Sequence, residues 1–145
     1  NMKNHRKILF RHHAFGDEGI ESAWAIKVQN GYELDNILFY AKDYSWKDIV
    51  SVEKENGELL VTGLVEERGH STVRVLLEES TYVSAVRNEL KEMGCTSELS
   101  NMDNLVAVDV PPTVLYEDIK IYLDKGESEG LWEYQEACIA TNHQI

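Results

Sequence analysis

The sequence predicts an α+β fold: an antiparallel, β-rich N-terminal half of about six strands, followed by helix, strand, strand, helix and strand. Three observations predict it. Apolar residues recur at period two in short runs between residues 7 and 77, the spacing of strands. Two of these runs are joined by Asn30-Gly31 and two more by Asn56-Gly57, dipeptides that accept the positive φ of a tight hairpin. The period then lengthens to that of a helix twice, once before Gly94 and once after Pro111-Pro112.

Each element follows in order. Residues 7–13 alternate loosely and make a first strand, and Gly16-Asp17-Glu18-Gly19 reads as a turn. Residues 20–29 put Ile20, Ser22, Trp24, Ile26 and Val28 on one face, which predicts a strand with that face inward. Residues 32–39 continue as a strand, bulged at Asp35-Asn36 because the phase shifts between Leu34 and Ile37. Residues 47–55 carry Ile49, Val50 and Val52, and Glu58–Glu66 returns after Asn56-Gly57. Residues 70–77 are the sixth strand. Val83, Val86, Leu90 and Met93 then form one helical stripe, with Ser80 or Thr81 as cap and Gly94 as stop. Thr96–Leu99 and Leu105–Val110 read as strands around a turn at 101–104. Thr113 is placed to cap a second helix bearing Leu115, Ile119, Tyr122 and Leu123, with Gly126 after it. Residues 131–140 are the last strand, followed by a frayed tail. From residue 70 onward the order β-α-β-β-α-β is the ferredoxin-like pattern. Two antiparallel sheets each followed by a helix, as in the Whirly fold, fit the same elements.

A chain of 145 residues is long enough for one compact domain with a real core, expected over residues 2–145 with Met2 as the expected natural start. The apolar fraction of 43% excludes a disordered chain, and no run approaches a membrane span of about 20 residues. Ile8-Leu9-Phe10 is too short for the core of a signal peptide, so a cytoplasmic protein is expected, with Cys95 and Cys138 reduced and buried. The net charge is −12, unevenly spread. Residues 1–30 carry five basic against three acidic side chains, so the remainder carries −14. Such a surface repels phosphate backbones and attracts basic partners, which argues against direct nucleic-acid binding.

No motif of catalysis or cofactor binding emerges from the residue spacings. His12 and His13 beside Arg11 would need a joint orientation that adjacent strand residues lack, and joining them to His70 supplies no tuning of acidity. The five histidines make no metal-ligand spacing, and Cys95 and Cys138 make none either, so no metal or other cofactor is expected. Ser71 follows Gly69-His70 but is continued by a strand, unlike a nucleophile elbow. Carboxylates at Asp17 and Glu18 stand where a phosphate loop would need donors. The acidic residues do cluster. Glu53, Glu55 and Glu58 flank the Asn56-Gly57 turn, Glu66 and Glu67 end the return strand, and Glu133 follows Trp132 in an acidic stretch. These seven residues, Glu53, Glu55, Glu58, Glu66, Glu67, Trp132 and Glu133, are the expected partner-binding set, with Trp132 as an aromatic anchor inside an acidic rim.

Four blocks carry a resemblance. They are Glu21-Ser22-Ala23-Trp24-Ala25, then Leu34-Asp35-Asn36-Ile37-Leu38-Phe39-Tyr40-Ala41, then Trp46-Lys47-Asp48-Ile49-Val50, then Gly69-His70-Ser71-Thr72-Val73-Arg74. In this order they resemble a bacterial domain family of unknown function, in which some small proteins sit beside toxin genes as candidate immunity proteins. Leu38 stands where the family pattern has Pro. The resemblance implies an immunity protein that neutralises a cognate toxin, and the acidic surface suits a basic nuclease of contact-dependent growth inhibition, bound as a heterodimer by a monomeric inhibitor. The alternatives are a small enzyme using His70 with a carboxylate such as Asp35, and a single-strand nucleic-acid binder.

Overall fold

The computed structural model describes residues 4–145, apart from the side chain of Phe15; Met2 and Lys3, counted in the expected domain, lie outside the described residues. The protein is mixed α/β and mostly β, with two antiparallel sheets, nine strands and two helices among those residues. Strands β1 (His5–His12), β2 (Gly19–Val28), β3 (Gly31–Leu34), β4 (Ile49–Glu55) and β5 (Glu58–Glu66) follow one another round a closed barrel. A short parallel pairing of Ile8 with Leu59 and Leu9 with Leu60 closes it. The expected sixth strand does not join this half. As β6 (Ser71–Leu77) it lies in a second sheet with β7 (Thr96–Leu99), β8 (Leu105–Val110) and β9 (Trp132–Cys138), in the order β7-β8-β6-β9. Closure explains the split: once β1 and β5 pair, the first sheet has no free edge for another strand.

The inward face of β2 is the opposite of the one expected. Ala23 and Ala25 point into the barrel, while Ile20 is 60% and Trp24 51% exposed. The small barrel is already filled by Ile8, Phe10, Leu34, Leu38 and Val50, so the β2 positions between them admit only methyl groups. Nor does β3 run to residue 39. It ends at Leu34, and residues 35–48 leave the sheet as a loop before β4 begins.

In the second sheet Val73, Val75 and Leu77 of β6, with Val106, Val108 and Val110 of β8, face helices α1 (Val83–Glu92) and α2 (Tyr116–Ser128) and build the larger core. The alternate residues Thr72, Arg74 and Leu76 pair with Asp109, Ala107 and Leu105, and form the opposite face. Gly94 stops the first helix at φ +99°. Neither Ser80, Thr81 nor Thr113 caps a helix by its side chain; a short helical turn over Ser80–Tyr82 leads into α1, and Leu115 precedes α2. Gly126 lies within α2 rather than ending it, because the indole of Trp132 rests against its backbone. The tail is docked rather than frayed: Thr141–His143 makes a short helical turn and His143 is 4% exposed. No helix among the described residues is long and apolar enough to cross a membrane.

Candidate functional site: a stapled loop and the cleft beside it

The 35–48 loop lies between the two sheets and is held from both. From the barrel, the Glu21 carboxylate accepts the backbone N–H groups of Phe39, Tyr40 and Ala41 at 2.7, 3.0 and 2.9 Å. From the second sheet, the Arg74 guanidinium donates to the carbonyls of Leu38 and Tyr40 at 3.2 Å each, to that of Ala41, and to Gln135. Three consecutive donors thus meet one carboxylate, and the carbonyls beside them meet one cation. Such charge-assisted bonds are the stronger kind, and the fork of Arg spans several acceptors as Lys cannot. Arg74 is 5% exposed, and burial pulls its guanidinium below the ordinary arginine range, with Glu21 opposing.

The rest of the loop is fastened in the same way. Asp35 accepts from Trp46 Nε1 at 3.1 Å and lies 3.0 Å from His5 Nε2. Asn36 accepts from the backbone N–H of Trp24. Asp48 accepts from the N–H groups of Ser45 and Arg68, and burial still raises its carboxyl above the usual range. Ser45 Oγ bonds Thr72 Oγ1 at 2.8 Å. The Trp46 ring meets His70 edge-on at 5.2 Å. All four sequence blocks therefore meet at this loop, and their side chains largely bond backbone or one another.

His70 is paired with Asp109, whose two oxygens lie 3.0 Å from Nδ1, not with Asp35. Burial raises the Asp109 carboxyl despite the histidine beside it. Ser71 Oγ lies 2.6 Å from His143 Nδ1, a pairing that the position of His143 in the tail concealed. His143 Nε2 faces the carbonyls of Pro111 and Val114, so it carries the ring proton and Ser71 donates to Nδ1. Ser71 is 0% exposed and also accepts from the Ala140 N–H, so the pair fixes the tail to β6.

Beside the loop opens a cleft of about 760 Å³. The end of β1 forms one wall, the loop a second, and Arg74, Leu76, Leu105, Glu133, Tyr134 and Gln135 of the second sheet contribute the rest. His12 and His13 both line it. The alternation that would have separated them ends with β1, since His13 has φ −126° and ψ 33° and is no longer extended. His12 stacks on Tyr40 with ring centroids 5.4 Å apart, and its Nδ1 accepts from the Ala14 N–H.

The expected partner-binding residues do not form one strip. Glu53, Glu55 and Glu58 are exposed around the β4–β5 turn, with Glu55 directly opposite Glu58. Glu66, opposite Ile49 at the far end of the hairpin, lies 3.4 Å from Arg68. Glu67 accepts from both the N–H and the hydroxyl of Thr141 and holds the tail. Trp132 is 5% exposed and donates to the Leu123 carbonyl, so it is a core residue and not a surface anchor. Glu133, its neighbour, is exposed and lines the cleft.

Both cysteines are free, and burial pushes the Cys95 thiol up to about 12 and the Cys138 thiol up to about 11. Thiolate is the reactive form, so the native protein should react slowly with a thiol reagent at neutral pH while the unfolded chain titrates two thiols promptly. Fast reaction of the native protein would contradict this burial.

Two antiparallel sheets tied through one stapled loop, with His70 and His143 bonded into the scaffold and an open cleft alongside, define a mixed α/β protein. The chain belongs to the family described as Domain of unknown function (DUF4265), whose model matches residues 21–134. The fold is similar to that of a hypothetical protein from Neisseria gonorrhoeae, described as a novel crystal structure. The TM-score is 0.80 at 19% identity, covering 92% of this chain and 94% of that one. No curated protein matches the chain.

Proposed function

We propose that this protein is a non-enzymatic, cytoplasmic binding protein that neutralises a basic toxin domain, a nuclease of contact-dependent growth inhibition, as a monomer in a heterodimer. The observation that carries this reading is the acidic turn of the β4–β5 hairpin. Glu53, Glu55 and Glu58 are exposed there in a chain of net charge −12, with Lys54 between the first two and Arg11 4.0 Å from Glu55. A nuclease must present Lys and Arg to bind phosphates, and a fixed acidic turn speeds encounter with that surface and competes with the substrate. The bonded states of His70 and Ser71 support a protein without its own turnover. The β-α-β-β-α-β run from β6 to β9, read as a ferredoxin-like unit, would serve as the rigid platform behind the hairpin.

The test is a Glu53→Lys, Glu55→Lys, Glu58→Lys variant titrated against the cognate toxin that this reading requires. The three side chains are exposed, so the variant should fold as the parent does. Affinity should fall by about a hundredfold or more, mostly through the on-rate, and the salt dependence of association should flatten. Unchanged affinity and unchanged salt dependence would remove the hairpin from the interface.

A further inference from the structure

We infer that the cleft between β1, the stapled loop and the second sheet binds a nucleoside monophosphate. This goes beyond the partner reading and does not rest on it. The charge distribution is the first argument. In a chain with nearly twice as many acids as bases, Arg11, His13 and Lys42 gather on the barrel and loop side of this cleft, against the single carboxylate of Asp43 there. Among the described residues neither His13 nor Lys42 has an ion-pair partner, and the contact of Arg11 with Glu55 is a long 4.0 Å. An anion of two negative charges and three acceptor oxygens suits that group. The second argument is the ring pair. Tyr40 and His12 already lie nearly parallel, with an interplanar angle of 29°, and both residues line the cleft. Such a face offers stacking to a planar base of any sequence. The third is Glu133, whose exposed carboxylate lines the cleft from β9 and accepts from ribose hydroxyls or an exocyclic amine. A volume of about 760 Å³ falls within the range of small-ligand sites.

The staple explains why such a site would be built here. Burying the Arg74 cation against carbonyls carries a desolvation cost that an apolar residue in a β-sheet avoids. Together with Glu21 it fixes the backbone of residues 38–41, and so the wall that presents Tyr40 and Lys42. Preorganised binding groups lose less entropy when the ligand arrives.

Calorimetric titration of the whole protein with each of the four common nucleoside monophosphates tests this, with inorganic phosphate and the free nucleosides as separate arms. At least one monophosphate should bind saturably below millimolar concentration, about tenfold or more tighter than phosphate or its nucleoside alone. An Arg11→Gln, Lys42→Gln variant, both positions being exposed, should keep the wild-type unfolding midpoint and lose about tenfold or more in affinity. Tyr40→Leu should weaken the nucleotide and leave the weak phosphate heat unchanged, since the loop is held by backbone groups. No saturable binding by any monophosphate would overturn the inference. So would phosphate binding as tightly as the nucleotide, or a double variant with unaltered affinity.

Discussion

Replacing Arg74 with Met should lower stability by about 3–5 kcal/mol, the cost typical of breaking a buried, charge-bonded contact by removing one partner. The side chain keeps similar length and fills similar space, so little of the loss comes from a cavity. What disappears is the donor set for the carbonyls of Leu38, Tyr40 and Ala41, at a position only 5% exposed. Each buried acceptor left without a donor costs about 1–3 kcal/mol. Glu21 would then hold its three N–H groups without the opposing cation, and of the loop's side-chain bonds to β6 only that of Ser45 to Thr72 would remain. For a chain of this length the expected fall in Tm is about 10 °C. Arg74→Lys should fall between wild type and Met, because one ammonium keeps the charge but cannot span three carbonyls. Urea unfolding of the three proteins decides the matter. A Met variant within about 1 kcal/mol of wild type would show that the bonds to the loop are dispensable.

Arg74 also shows how far the sequence could be read. One cation within the apolar run of β6 marks a residue that must be paired, and that signal was available. Its partners were not, because they are backbone carbonyls about thirty-five positions earlier, and no side-chain pattern reveals a bonded carbonyl. The hairpin turns and the change of period at residue 82 were legible, since each is set by a few adjacent residues. The inward face of β2 was not. Both of its faces carry apolar residues, and the choice between Trp24 and the alanines beside it was made by the width of a barrel that only distant strands define. The acidic turn was legible as charge, whereas the commitment of Glu67 to Thr141 depended on where the tail docks. The cleft was divided in the sequence among β1, the loop and β9, and its histidines were set aside by an alternation rule that stops applying one residue after His12.

Trp132→Ala should cost about 3–5 kcal/mol, as large aromatic truncations in cores do. The indole packs on Tyr122 at a ring distance of 5.4 Å and donates to the Leu123 carbonyl at 3.0 Å, so both packing and a hydrogen bond are lost. Gly126 supplies the sharper test. A Cβ there would overlap Trp132 Cζ2, far inside contact distance, so Gly126→Ala in the wild type should itself destabilise by about 1–3 kcal/mol or more. Once the indole is gone, the three atoms nearest to that Cβ are gone with it. The same substitution should then approach neutrality or stabilise by about 1 kcal/mol, since Ala is the better helix former within α2. The two substitutions are thus expected to be strongly non-additive, with a reversal of sign for Gly126→Ala. Urea unfolding of the two single variants and the double variant measures the coupling, and Trp132→Leu replaces the alanine if that protein does not fold. Additive effects would mean that the indole does not rest on the glycine. Folded Trp132 variants should bind the proposed toxin partner as the parent does. A loss of affinity without a loss of stability would return Trp132 to the surface as an anchor.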